Sequence, residues 1–132
     1  MGCQCHMAHN AARYACSAFC KNLKLFDVEK LLVDVYFWLE YSSERKNAYA
    51  EFCEFTDVEY RRILKFISVR WLGMSTCLER ILKQFPALKS YFLSTPDSDR
   101  SSKARLGRLV KVFEHPLTST TCYLYTHVCQ FL

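Results

Sequence analysis

Residues 27–40 read DVEKLLVDVYFWLE, and this stretch decides the fold. Val28, Leu31, Leu32, Val35, Tyr36 and Leu39 recur at the three- and four-residue steps of one helix face. Asp27 precedes them as an N-cap, its carboxylate placed to take a first-turn N–H. Val33, Phe37 and Trp38 add apolar surface on the other side. The helix is therefore expected to be buried on most of its circumference or to face a partner.

The same period continues outward in both directions. Ser42 and Ser43 offer caps for a next helix, with Tyr49, Phe52 and Cys53 inward. Asp57 is expected to cap another, carrying Tyr60, Ile63, Leu64 and Ile67 on one face. Thr76 and Glu79 have capping-box spacing ahead of Leu78, Ile81, Leu82 and Phe85. Pro86 breaks or restarts that helix, and Leu88, Tyr91 and Phe92 continue its apolar face. Residues 94–102, STPDSDRSS, are the clear loop. Leu106, Leu109, Val110 and Phe113 form the next stripe. Pro116 suits the first turn of a last helix with Leu117, Leu124, Val128 and Phe131 inward. Toward the N-terminus, the Ala-rich stretch from Met7 to Cys20 also reads as helix. No segment alternates as a strand does. The expected fold is all-α, an array of about six or seven helices.

Composition agrees. The chain has 132 residues, enough for one ordinary domain, and only three Gly and three Pro punctuate it. Hydrophobic residues make up 51%, which excludes a disordered chain. The net charge of +5 is compatible with nucleic acid without demanding it. No run of 18 or more apolar residues occurs, so no membrane span is expected. The eight cysteines, Cys3, Cys5, Cys16, Cys20, Cys53, Cys77, Cys122 and Cys129, come without a signal peptide, and several fall on apolar helix faces. Free thiols in a reducing compartment are the expectation.

Three groups of residues invite chemistry. Cys3, Cys5, His6 and His9 are zinc-ligand types, yet no second ligand pair follows at zinc-site spacing, and no metal is expected. Arg70 and Trp71 put a guanidinium beside a π-face, the combination that meets phosphate and base, although core packing accounts for many such Trp residues. Arg100, Lys103, Arg105, Arg108 and Lys111 form a basic helix, read as a solvated face. The five Asp residues, Asp27, Asp34, Asp57, Asp97 and Asp99, read as caps, helix surface and loop. No catalytic triad, phosphate loop or cofactor motif occurs.

Together these segments resemble the hAT family of DNA transposases. Cys3-x-x-His6, running on to His9-Asn10-Ala11-Ala12, resembles the family's CxxH motif and the helix after it. Ile67-Ser68-Val69-Arg70-Trp71-Leu72 resembles its STRWLS signature, with Val69 in place of Thr and Gly73 following where Ser is common. The blocks from Leu78 to Phe92 and from Ala104 to Thr118 are similar to the stretches that follow it in domesticated members. The resemblance spans nearly the whole chain. It implies an RNase H-like core interrupted by a helical insertion, with residues 1–24 at the end of the core and 25–132 in the insertion. It implies that Arg70 and Trp71 contact DNA, the Trp stacking on an extruded base, and that Cys3 and His6 lie near the active centre. The three acidic residues that hold the family's catalytic metals would fall outside this chain.

The resulting expectation is an inactive transposase remnant in the nucleus or cytoplasm, with no catalytic residue, cofactor, metal, membrane or small-molecule substrate. Weak contacts with DNA or with protein partners are expected. The alternative is a helical protein–protein interaction module with no DNA role, presenting Phe37, Trp38 and the C-terminal stripe. An active enzyme would require a longer gene product that supplies the acids.

Overall fold

The structure is a computed structural model and describes residues 4–22, 26–67, 73–96 and 103–130. Among the described residues the regular structure is helical throughout, in seven helices and no strand. They are α1 (Gln4–Asn22), α2 (Val28–Glu40), α3 (Ser43–Phe55), α4 (Met74–Lys83), α5 (Phe85–Leu93), α6 (Ala104–Glu114) and α7 (Thr118–Gln130).

The α2 stripe forms the middle of the core. Val28, Leu31, Leu32, Val35 and Leu39 are buried, and Asp27 caps the helix by accepting the Lys30 N–H. Helix α2 packs on α3 and α6, and α5 packs on α3 and α6 in turn. Phe92 of α5 stacks on Phe113 of α6 with ring centroids 5.1 Å apart. Helix α4 lies chiefly on α7, which also receives α1. Arg13 joins α1 to α2: its Nη2 donates to Glu29 Oε2 at 2.9 Å, and its Nε sits 2.7 Å from Oε1 as an ion contact.

Several local expectations are met. Ser42 caps α3 by accepting the Arg45 N–H, and Tyr49 and Cys53 point inward. Pro86 falls in the first turn of α5, directly after α4 ends.

Four others are corrected. Asp57 does not open a helix; it closes α3. Its φ of 55° is left-handed, the Val58 N–H reaches Cys53 O at 2.9 Å, and the Asp57 N–H reaches Glu54 O at 3.2 Å. That is the Schellman arrangement, with Asp in the position glycine usually takes. Residues 58–67 then run without helix. Their polar groups bond to distant side chains instead: the Ile63 N–H to Glu40 Oε1, the Arg61 N–H to Gln84 Oε1, and the Arg62 carbonyl to Arg80. Thr76 and Glu79 form no capping box, because α4 starts two residues earlier, at Met74.

The buried face of α7 is also rotated from the expected stripe. Leu117 and Leu124 are exposed, whereas Thr118, Thr121, Cys122, Tyr125 and Thr126 are buried between α1 and α4. The threonines tolerate burial because their hydroxyls donate to carbonyls of the preceding turn: Thr121 to Leu117 O at 2.7 Å and Thr126 to Cys122 O at 2.9 Å. Phe131 lies outside the described residues.

Candidate nucleic-acid interface

Arg70, Trp71 and Cys3 lie outside the described residues, as do Arg100, Asp97 and Asp99. His6 belongs to α1, but its side chain, like those of Cys5 and His9, is likewise outside them. Among the described residues, cationic and aromatic groups gather where α2, the start of α3 and the start of α6 meet.

Lys30, Asp34, Phe37 and Tyr41 follow one another along one stripe of α2 and its C-cap. Tyr41 is 66% exposed and stacks on Phe37, ring centroids 5.0 Å apart and nearly parallel. The Arg105 guanidinium lies 5.1 Å from the Phe37 ring on the same side of the molecule. The neighbouring Trp38 carries two cations, Arg45 at 3.5 Å from the ring centroid and Lys103 at 5.6 Å. Arg45 also donates to the Trp38 carbonyl, and the indole N–H donates to the Tyr91 hydroxyl at 3.3 Å. Cations over aromatic faces are attractive through the ring quadrupole, by roughly 0.5–1 kcal/mol at exposed sites.

Two expectations change here. Asp34 is no helix-surface residue: it is 4% exposed and accepts from two arginines. Arg105 Nε donates to Oδ1, while Arg108 Nε and Nη2 donate to Oδ2 and Oδ1, all at 3.1 Å. The basic helix keeps its solvated face and is in addition pinned by a carboxylate 71 and 74 residues away in sequence. Hydrogen bonding to Asp34 holds the Arg108 guanidinium above its ordinary pKa. Trp38, in turn, is not open partner surface, since it is 7% exposed beneath Arg45 and Lys103.

A second feature lies at the opposite end of α2. A cleft of about 660 Å³ opens between α1, the start of α2 and α7, with Arg13, Tyr14, Cys20, Lys21, Asp27 and Tyr125 among its walls. Cys20 Sγ is 3.5 Å from the Tyr125 hydroxyl. Burial pushes the nearby Cys122 thiol up to about 12 and raises Cys16 as well. Burial of this kind disfavours the thiolate, the reactive form of cysteine. Cys16, Cys20, Cys53, Cys77 and Cys122 are all free and buried. Among the described residues no group of three or more His, Cys, Asp or Glu side chains is placed to hold a metal ion, and no helix is long and apolar enough to cross a membrane.

Sequence reasoning missed Asp34, Arg45 and Phe37 as members of one site. The available signal was Arg105 and Arg108 at three-residue spacing beside an acid placed on an otherwise apolar helix. No family model matches the chain, and neither a curated protein nor a solved structure matches it.

Proposed function

We propose that the chain is a helical, hAT-type transposase-derived protein that keeps weak contact with nucleic acid. The contact surface is the α2–α3–α6 face. The observation that carries this reading is the set of three cations, Arg45, Lys103 and Arg105, held over Trp38 and Phe37 beside the open ring of Tyr41. Cations that track a phosphate backbone, next to an aromatic face on which a base stacks, are the chemistry of sequence-tolerant single-strand binding. The mild net charge of +5 suits weak, salt-dependent association. This reading goes with a nuclear or cytoplasmic location. Arg70 and Trp71 would extend the same activity, on the strength of the resemblance alone.

The test is fluorescence anisotropy with a short oligothymidylate at low and moderate salt. Wild type should bind, and more weakly as salt rises. Tyr41→Ala should weaken binding by about 5- to 150-fold while folding is retained. Wild-type binding no better than millimolar would reject the reading.

One observation favours an alternative, a protein-interaction module without a DNA role. Met7 and Tyr14 of α1, and Leu117 and Tyr123 at α7, are large apolar side chains left exposed. Under that reading the salt-dependent oligonucleotide signal is absent.

A further inference from the structure

We infer that Arg105 and Arg108 form a subsite for a single phosphate group, and that Asp34 is the positioning residue that holds the two guanidiniums side by side. The inference rests on the nucleic-acid reading of this face and names the group it would grip.

Three bonds fix the pair from behind. Asp34 is nearly fully buried and takes one bond from Arg105 and two from Arg108. Two guanidiniums carry far more N–H donors than three bonds consume. Both arginine side chains remain about two-fifths open to solvent, 40% and 41%, while the Asp34 side chain is only 6% exposed. The carboxylate is thus at the back and the guanidiniums are at the front. Fork geometry of this kind matches the paired oxygens of a phosphate, whereas an ammonium offers only a point charge.

The local helix adds to this. Helix α6 begins at Ala104 with Lys103 as N-cap, no capping side chain, and no acid in the first turn. Cations at a helix start oppose the macrodipole, so an anion bound there relieves both the dipole and the like charges. Among the described residues Asp34 sets one negative charge against the three positive charges of Lys103, Arg105 and Arg108.

The decisive variants separate positioning from bulk charge. Asp34→Asn raises the net charge of the protein by one. If charge alone governs binding, an oligothymidylate binds it more tightly. If Asp34 positions the pair, binding weakens, by roughly tenfold, because the amide nitrogen now faces an arginine donor. Arg108→Lys keeps the charge and loses the fork. It should weaken binding to a similar degree, and because the lysine ammonium can still donate to Asp34, it supplies a second test if Asp34→Asn does not fold.

Two ligands are used, the oligothymidylate and inorganic phosphate, the latter read as a rise in thermal midpoint. Phosphate stabilisation of wild type that Arg108→Lys abolishes supports the subsite. If no oligonucleotide binds alongside it, the nucleic-acid reading falls and free phosphate is the ligand. Oligonucleotide binding unchanged in Arg108→Lys, or tightened in folded Asp34→Asn, overturns the subsite and leaves the reading standing.

Discussion

The Tyr49 hydroxyl donates to Gln84 Oε1 at 2.7 Å, and both side chains are shut off from solvent. The bond ties α3 to the joint between α4 and α5. Gln84 Oε1 also receives the Arg61 N–H at 3.4 Å, so one amide anchors the non-helical segment as well. Tyr49→Phe removes the stronger of these donors and leaves a buried amide under-satisfied. The expected loss is about 1–2 kcal/mol of stability. Urea unfolding should show a lower midpoint with an unchanged slope; an unchanged midpoint would mean that the hydroxyl contributes nothing.

Asp57 holds a left-handed backbone at the end of α3. Glycine adopts that conformation without a Cβ penalty. Asp57→Gly should therefore stabilise the protein, by up to about 1 kcal/mol after the greater freedom of the unfolded glycine is subtracted. A raised thermal midpoint is the readout, and a lowered one would mean that the carboxylate contributes an interaction beyond the turn.

Glu40 anchors residues 58–67. Its side chain is 3% exposed, takes the Ile63 N–H at 3.1 Å and pairs with Arg62 Nε at 3.1 Å. Glu40→Ala strands the Ile63 N–H and unpairs Arg62, and should destabilise by about 1–3 kcal/mol. Amide exchange at Ile63 should accelerate more than at Leu32 or Phe92 in the helical core. Equal acceleration at all three would show that the carboxylate supports the whole fold rather than that segment.

Alkaline pH should unfold the protein in a defined window. Burial, the largest cause in each case, raises Cys16, Cys53, Cys77 and Cys122 and also Tyr49, Tyr60, Tyr91 and Tyr125. For Cys122 the folded value is about 12 against an ordinary 9.0. The folded state prefers the protonated thiol, so its contribution is complete below the unfolded value. It is lost as pH rises from 9.0 towards about 12. For the fully buried Cys122 the slope is up to roughly 1.4 kcal/mol per pH unit within that window. Thermal midpoints measured in steps across that range should fall steadily, and a flat profile would contradict the burial of these groups.

The helical class and the α2 stripe were legible because a 3.6-residue period leaves its mark within a dozen residues. So were the Asp27 and Ser42 caps, whose partners lie three residues away. Residues 58–67 were misread for the opposite reason. Tyr60, Ile63, Leu64 and Ile67 have helical spacing, but the backbone of Arg61, Arg62 and Ile63 among them is claimed by Gln84, Arg80 and Glu40, which local pattern does not bring near. Asp34 shows the same limit, since its partners stand more than seventy residues along the chain. On α7 the apolar stripe pointed to Leu117 and Leu124, while the packed face uses threonines that satisfy their own hydroxyls. Of the candidate interface, the basic helix was visible; the rings beneath it were read as bare apolar surface.

The pairing of α1 with α7 has a consequence in time. Cys20 meets Tyr125 across 105 residues of sequence. A ribosome adds about 5–20 residues per second. The first helix therefore waits on the order of 5–20 s for the last one to be made, with Cys16 and Cys20 uncovered meanwhile. During each round of synthesis the nascent chain displays thiols and an apolar flank that the finished protein hides. That interval is when mispairing with another nascent chain, or capture by a chaperone, competes with native docking.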